Sequence, residues 1–142
     1  GSGPLKEELL IFVQENKLAE VDFLGQITYE EVQNYLRKSD LFVLPTLKDL
    51  FSLTVLEAMA SGCPVITTPF NGARELVNES NGWIVDPTVP NKLKSLLEEA
   101  LSSQVDLYKM GMAARKRVEN MDNIIVMNRF AESLRRLAAD IP

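Results

Sequence analysis

The sequence contains no histidine and a single cysteine, Cys63. The first absence removes the commonest general base and the commonest transition-metal ligand. The second excludes an internal disulfide and any multi-cysteine zinc site. A chain of this kind suits a reducing compartment, the cytoplasm. Positive charge is also in short supply: 15 Lys and Arg stand against 20 Asp and Glu, a formal net charge of −5. Neutralising the phosphates of a nucleic acid takes a basic face that this composition does not provide, so nucleic acid is not an expected partner. No apolar run reaches the roughly 18–20 residues that span a bilayer, and GSGPLKEELL has no basic stretch leading into an apolar one, so no export signal is expected.

What is present is 142 residues, 46% hydrophobic and 25% charged, the make-up of one globular domain over residues 1–142. No low-complexity linker or fixed-period repeat divides it. Leu5, Leu9, Phe12 and Val13 recur at helical spacing within Pro4–Asn16, with proline in the first turn. Val21–Gly25 reads as a short strand stopped by glycine. Thr28-Tyr29-Glu30-Glu31 has the form of a capping box and opens a helix to about Lys38. Asp40–Leu44 and Pro64–Thr68 read as buried strands, separated by a loop from Thr46 to about Phe51 and a helix over Leu53–Ala60 that Gly62 stops. A helical turn near Ala73–Val77, a fourth strand over Gly82–Asp86, and helices after Pro90, over Asp106–Glu119 and over Asn123–Ala139 complete the chain.

Short, continuously apolar strands alternating with helices predict an α/β fold: a doubly wound parallel sheet covered by helices on both sides, with a helical C-terminal tail. In such sheets ligands sit beyond the carboxyl ends of the strands, which selects Gly25-Gln26-Ile27, Pro45–Ser52, Pro69–Gly72 and Asp86-Pro87. The Pro45–Ser52 loop runs into a helix whose first N–H groups, near Ser52, Leu53 and Thr54, have no intrahelical acceptor and so form an anion site. Asp49 precedes that helix end and Glu57 follows it by about one turn. Carboxylates so placed accept hydrogen bonds from paired sugar hydroxyls, and phosphate with hydroxyls points to a sugar nucleotide. Each residue also has a plainer reading. Glu57 pairs with a local cation such as Arg74, Asp49 caps the helix, Cys63 is a small buried hydrophobe, Asn71-Gly72 is a turn, Trp83 is core, and Arg115–Arg117 is a solvated face.

The run SDLFVLPTLKDLFSLTVLEAMASGCPVITT (Ser39–Thr68), followed by GARELV (Gly72–Val77) and NGWIV (Asn81–Val85), resembles the C-terminal, donor-binding domain of retaining glycosyltransferases of family 4, which have the two-domain GT-B fold. Gly1-Ser2-Gly3-Pro4 is similar to the turn that follows a strand in these domains. The resemblance implies a Rossmann-like domain truncated on its N-terminal side, from an enzyme that moves a sugar from a nucleoside diphosphate to a glycan, lipid or other acceptor, as in polysaccharide biosynthesis, without a cofactor or a metal. It implies that Asp49 and Glu57 are the family's two acids separated by seven residues, with Glu57 on the ribose hydroxyls and Asp49 on the donor sugar. It further implies that the backbone of Phe51, Ser52, Leu53 and Thr54 receives the sugar and diphosphate, and that the loop of Gly25, Gln26, Ile27 and Tyr29 meets the nucleobase.

Two departures stand out: Asp49 is one methylene shorter than the family's usual Glu, and Ser52 stands where the family generally has Gly. The family's acceptor domain and its diphosphate-neutralising Arg and Lys are not in these residues, so no sugar transfer by them alone is expected. The implied partners are the nucleotide sugar and the N-terminal Rossmann domain of the same enzyme, and the open sheet edges are closed either by Val21–Leu24 against Asp40–Leu44 or by a second copy of the chain. The full-length enzyme is expected in the cytoplasm, peripheral to the inner face of a membrane. A non-catalytic sugar-nucleotide or scaffold module and a GT-B sugar-nucleotide epimerase are the alternative functions.

Overall fold

Strands fall in short segments rich in β-branched and aromatic residues. In the computed structural model, which describes residues 2–121, these are β1 (Phe42–Val43), β2 (Val65–Thr67) and β3 (Gly82–Ile84). They form one parallel sheet in the order β1-β2-β3, with Phe42 opposite Val65, Ile66 opposite Trp83 and Thr67 opposite Ile84. All three residues of β2 are buried, as a central parallel strand covered on both faces requires. The helices are α1 (Lys6–Glu15), α2 (Tyr29–Lys38), α3 (Leu53–Ala60), α4 (Lys92–Ala100) and α5 (Leu107–Val118), with a one-turn 3-10 helix at Gly72–Leu76. The α/β class and the parallel sheet agree with the sequence reading. The helix expected over Asn123–Ala139 lies outside the described residues.

Contacts gather into two units, residues up to Asn34 and residues from Tyr35 on. In the first, α1 buries none of its residues, and Leu5, Leu9 and Phe12 are exposed. The chain reverses after α1 at Lys17, whose φ of 53° is left-handed. The expected strand at Val21–Gly25 does not form: the segment is irregular, and Val21, Phe23 and Leu24 are exposed. A strand exists only where a neighbour completes its ladder, and no described residues do so here. The capping box is present as predicted. Thr28 N–H donates to Glu31 Oε2 at 2.7 Å and Glu31 N–H donates back to Thr28 Oγ1 at 3.3 Å. These bonds from the Thr28 backbone and hydroxyl hold the Glu31 carboxyl below the usual range.

In the second unit, Ile66, Val85 and Ala100 form a core cluster against which Leu41, Val43, Trp83, Leu93, Leu96 and Leu97 pack, so α4 covers one side of the sheet. Side chains alternate along a strand, which turns Val65 and Thr67 to the opposite side. There α3 contacts β2 with Val55, Ala58 and Met59 buried, and α5 packs on α3 through Gly111, Ala114 and Val118. Gly62 ends α3 with a φ of 81°, the left-handed conformation that glycine adopts at low cost. Cys63 is buried behind it. Burial, with Asp40 nearby, pushes its thiol up to about 11, so the side chain is an inert apolar group.

The approach of α5 to the Gly62 turn depends on a second glycine. A Cβ on Gly111 would overlap the Gly62 carbonyl oxygen. Helix propensity alone makes Gly111→Ala stabilising by about 1 kcal/mol, whereas this contact forces α5 off α3. The expected result is a loss of about 1–3 kcal/mol in urea unfolding; a gain would contradict the close approach.

Candidate functional site

Because the sheet is parallel, the loops after β1, β2 and β3 leave from the same edge. Two of them are joined. Asp49 forms a parallel bridge with Asn71: Asp49 N–H donates to the Phe70 carbonyl at 3.1 Å and Gly72 N–H donates to the Asp49 carbonyl at 3.2 Å. The Thr68 hydroxyl donates to the Thr46 carbonyl at 2.8 Å, closing the base of the same loop pair. A Cβ on Gly72 would overlap the Leu50 carbonyl oxygen, so this crossing needs a residue without a side chain.

Asn71 organises the junction. It is 1% exposed. Its Oδ1 accepts from Ser52 N–H at 3.3 Å and from Ala73 N–H at 3.0 Å, while its Nδ2 donates to Thr67 Oγ1 at 3.1 Å. One amide therefore ties the end of β2, the start of α3 and the 3-10 turn together. From sequence, Asn71-Gly72 reads as a turn first and a ligand loop second, not as a clamp. The dipeptide does signal a turn, but an acceptor 19 residues from its donor leaves no local pattern.

The predicted phosphate cradle is thereby narrowed. The N–H of Phe51 donates to Asp49 Oδ1 at 3.1 Å and the N–H of Ser52 is held by Asn71, so neither is available to a ligand. The first-turn N–H groups of α3, starting with Leu53 and Thr54, have no intrahelical acceptor, and Ser52 at the N-cap places no side-chain oxygen on them. Asp49 does not cap the helix; its carboxylate orders its own loop. No acid sits in the first turn of α3, so no residue of that turn offsets the positive end of the helix. Phe51, Leu53 and Thr54 are exposed at this mouth, as are the neighbouring Leu50 and Phe70.

Glu57, half-buried one turn into α3, borders a cavity of about 410 Å³ with Leu56, Ala60, Arg115 and Val118. Arg74 does not pair with it. That guanidinium donates to the Pro69 carbonyl instead. The third loop bonds to itself: Asp86 Oδ1 accepts from the hydroxyl of Thr88 at 2.6 Å and from its N–H at 2.9 Å, bonds that hold the Asp86 carboxyl below the usual range. In the other unit, Gly25 has a left-handed φ of 68°, Gln26 is exposed, Ile27 half-buried, and Tyr29 opens α2 with its side chain exposed. With no strand at Val21–Leu24, the strand-end rule no longer selects this loop. Of the Arg115–Arg117 cluster, all three residues are exposed, and Arg117 also donates to the Glu75 carbonyl at 3.3 Å.

Residues 1–117 match the sequence model of the family described as glycosyl transferases, group 1. The chain belongs to that family. Among its relatives, the amylovoran biosynthesis glycosyltransferase AmsK of Erwinia amylovora is 31% identical over 147 residues, which cover 97% of this chain and 36% of AmsK. The GDP-mannose-dependent monoacylated alpha-(1-6)-phosphatidylinositol monomannoside mannosyltransferase of Corynebacterium glutamicum is 34% identical over 106 residues, covering 70% of this chain and 28% of that protein. Among solved structures, sucrose-phosphate synthase from Thermosynechococcus elongatus superposes with a TM-score of 0.79 at 29% identity, covering 99% of this chain and 38% of that one. This group 1 transferase domain thus spans roughly a third of the length of these proteins. The resemblance seen in the sequence holds.

The geometry of this transferase domain makes Asn71 the organiser of the α3 end. Replacing it with alanine strands the buried Ser52 N–H, at a cost of about 1–3 kcal/mol. Asn71→Ala is expected to lower the urea midpoint accordingly, with an unchanged m-value; a shift equivalent to under about 0.5 kcal/mol would contradict the clamp.

Proposed function

We propose that this chain is the donor-binding part of a retaining glycosyltransferase: a partial C-terminal, Rossmann-like domain, residues 1–142, that holds a nucleoside-diphosphate sugar for transfer to an acceptor. The observation that carries the proposal is the uncapped start of α3 at the carboxyl edge of a parallel sheet, in a chain of the group 1 glycosyl transferase family. Such a helix end offers N–H donors and half a positive charge to a phosphate. Asp49 and Glu57 bracket it with seven residues between them, the spacing of the family's two acids. The mannosyltransferase relative is GDP-mannose-dependent by name, and AmsK is named for a polysaccharide, which supports a nucleotide-sugar donor and a glycan-type product.

In this reading Leu53 and Thr54 give their N–H groups to the diphosphate, Phe51 and Ser52 shape its approach, and Glu57 accepts the ribose hydroxyls. Asp49 reaches the donor sugar with the carboxylate oxygen that its loop leaves unused. Gly25, Gln26, Ile27 and Tyr29 form the nucleobase loop. The acceptor and the cations that balance the diphosphate come from the enzyme's other Rossmann domain. Binding a donor without them supplies little that is stronger in the transition state than in the ground state. These residues alone are therefore inactive as a transferase. No helix among the described residues is long and apolar enough to cross a membrane. A cytoplasmic, membrane-peripheral place of action, and pairing of two copies through the flanks of the sheet, belong to the same proposal.

Titration calorimetry of the intact enzyme with UDP and GDP tests the assignment of Glu57. For whichever nucleotide binds, Glu57→Ala is expected to weaken affinity about tenfold or more, and the loss is expected to vanish with the 2′,3′-dideoxynucleotide. An equal loss with and without the ribose hydroxyls would contradict the role.

A further inference from the structure

The start of α3 holds one polar group to which the proposed function gives no role. Ser52 occupies the N-cap, where a serine ordinarily turns its hydroxyl back to accept from the second or third N–H of the helix. Its backbone has the extended conformation usual for that position, φ −79° and ψ 112°, yet it makes no such bond. The residue is only 6% exposed, and what its neighbours take from it is its N–H, held by Asn71. Its hydroxyl bonds to no described residue. Among the described residues, Gln33 Nε2 is the side-chain polar atom that is both sealed and unpartnered, so the Ser52 oxygen retains accessible surface. A hydroxyl so placed, without a protein partner, is left to bond either water or an oxygen of a bound ligand.

We infer that the Ser52 hydroxyl is a ligand-facing donor that binds a phosphate oxygen of the nucleotide beside the first-turn N–H groups of α3, with Asn71 as its positioning residue. The inference rests on the donor-site reading above and adds a residue to it. Asn71 fixes the Ser52 backbone by absorbing its N–H, which leaves the hydroxyl as the one polar group of that residue free to turn. The chemistry of Asn71 suits that role, because a neutral amide oxygen satisfies two N–H groups without bringing negative charge to the helix end. An aspartate there would accept the same bonds while opposing a phosphate within the reach of the helix dipole. The hydroxyl donates and the phosphate oxygen accepts, a charge-assisted bond of the stronger kind.

Calorimetry on the intact enzyme tests this with UDP, GDP and ADP, and with their nucleosides as phosphate-free probes. Ser52→Ala is expected to weaken the diphosphate about tenfold and leave the matching nucleoside unchanged, and Ser52→Thr, which keeps a hydroxyl, is expected to restore most of the loss. Asn71→Asp buries a carboxylate and gives up the donation to Thr67, so it is expected to lower the urea midpoint and also to weaken the diphosphate more than the nucleoside. Native affinity in Ser52→Ala, or an equal loss for diphosphate and nucleoside, would overturn the inference and leave the donor site standing. Failure of the native enzyme to bind UDP, GDP or ADP would overturn both.

Discussion

A single buried amide sets the geometry on which the site depends. Left alone, the loop between β1 and α3 would be a flexible run of polar and apolar residues, and the start of α3 would have no fixed direction. The Asn71 side chain removes that freedom by joining three segments that are distant in sequence: Thr67 at the end of β2, Ser52 at the start of α3, and Ala73 in the 3-10 turn. Thr67 contributes twice, as a β-branched residue that favours the strand and as the hydroxyl that accepts from the amide. Buried as it is, the amide leaves this network no competing water, so its bonds are strong when made and costly when missing.

Close backbone contact gives the same region its rigidity. Gly72 lets the second loop cross against the Leu50 carbonyl, and Gly82 and Gly111 allow equally tight approaches of β3 to Val65 and of α5 to the Gly62 turn. None of these positions tolerates a side chain in place. The helix end at Leu53 is thus held between a sheet edge and a glycine-tight loop, the rigid support that a binding site of fixed shape needs.

Much of this is legible in the sequence. The Thr28–Glu31 capping box, the Gly62 stop, and the apolar strands at Phe42 and Val65 are local patterns, and local patterns survive into structure. The acids at Asp49 and Glu57 are legible as a spacing. What is not legible is non-local. The strand expected at Val21–Leu24 has the right composition, but pairing is decided by neighbours, and none is provided by the described residues. The share-out of N–H groups at the α3 end is equally hidden: two of the donors expected to face a ligand, Phe51 and Ser52, are committed to Asp49 and Asn71, and only the folded chain reveals this.

The consequence is that the proposed anion site is narrower than the sequence suggests, built on the first turn of α3 with a neutral clamp behind it. In the proposed site a diphosphate binds at Leu53 and Thr54. Amide chemical shifts of the isotope-labelled enzyme during titration with UDP or GDP, each set against its nucleoside, test that claim directly. The Leu53 and Thr54 resonances are expected to move with the diphosphate and stay put with the nucleoside. Diphosphate binding that leaves these two amides unmoved, with the largest shifts elsewhere, would contradict it.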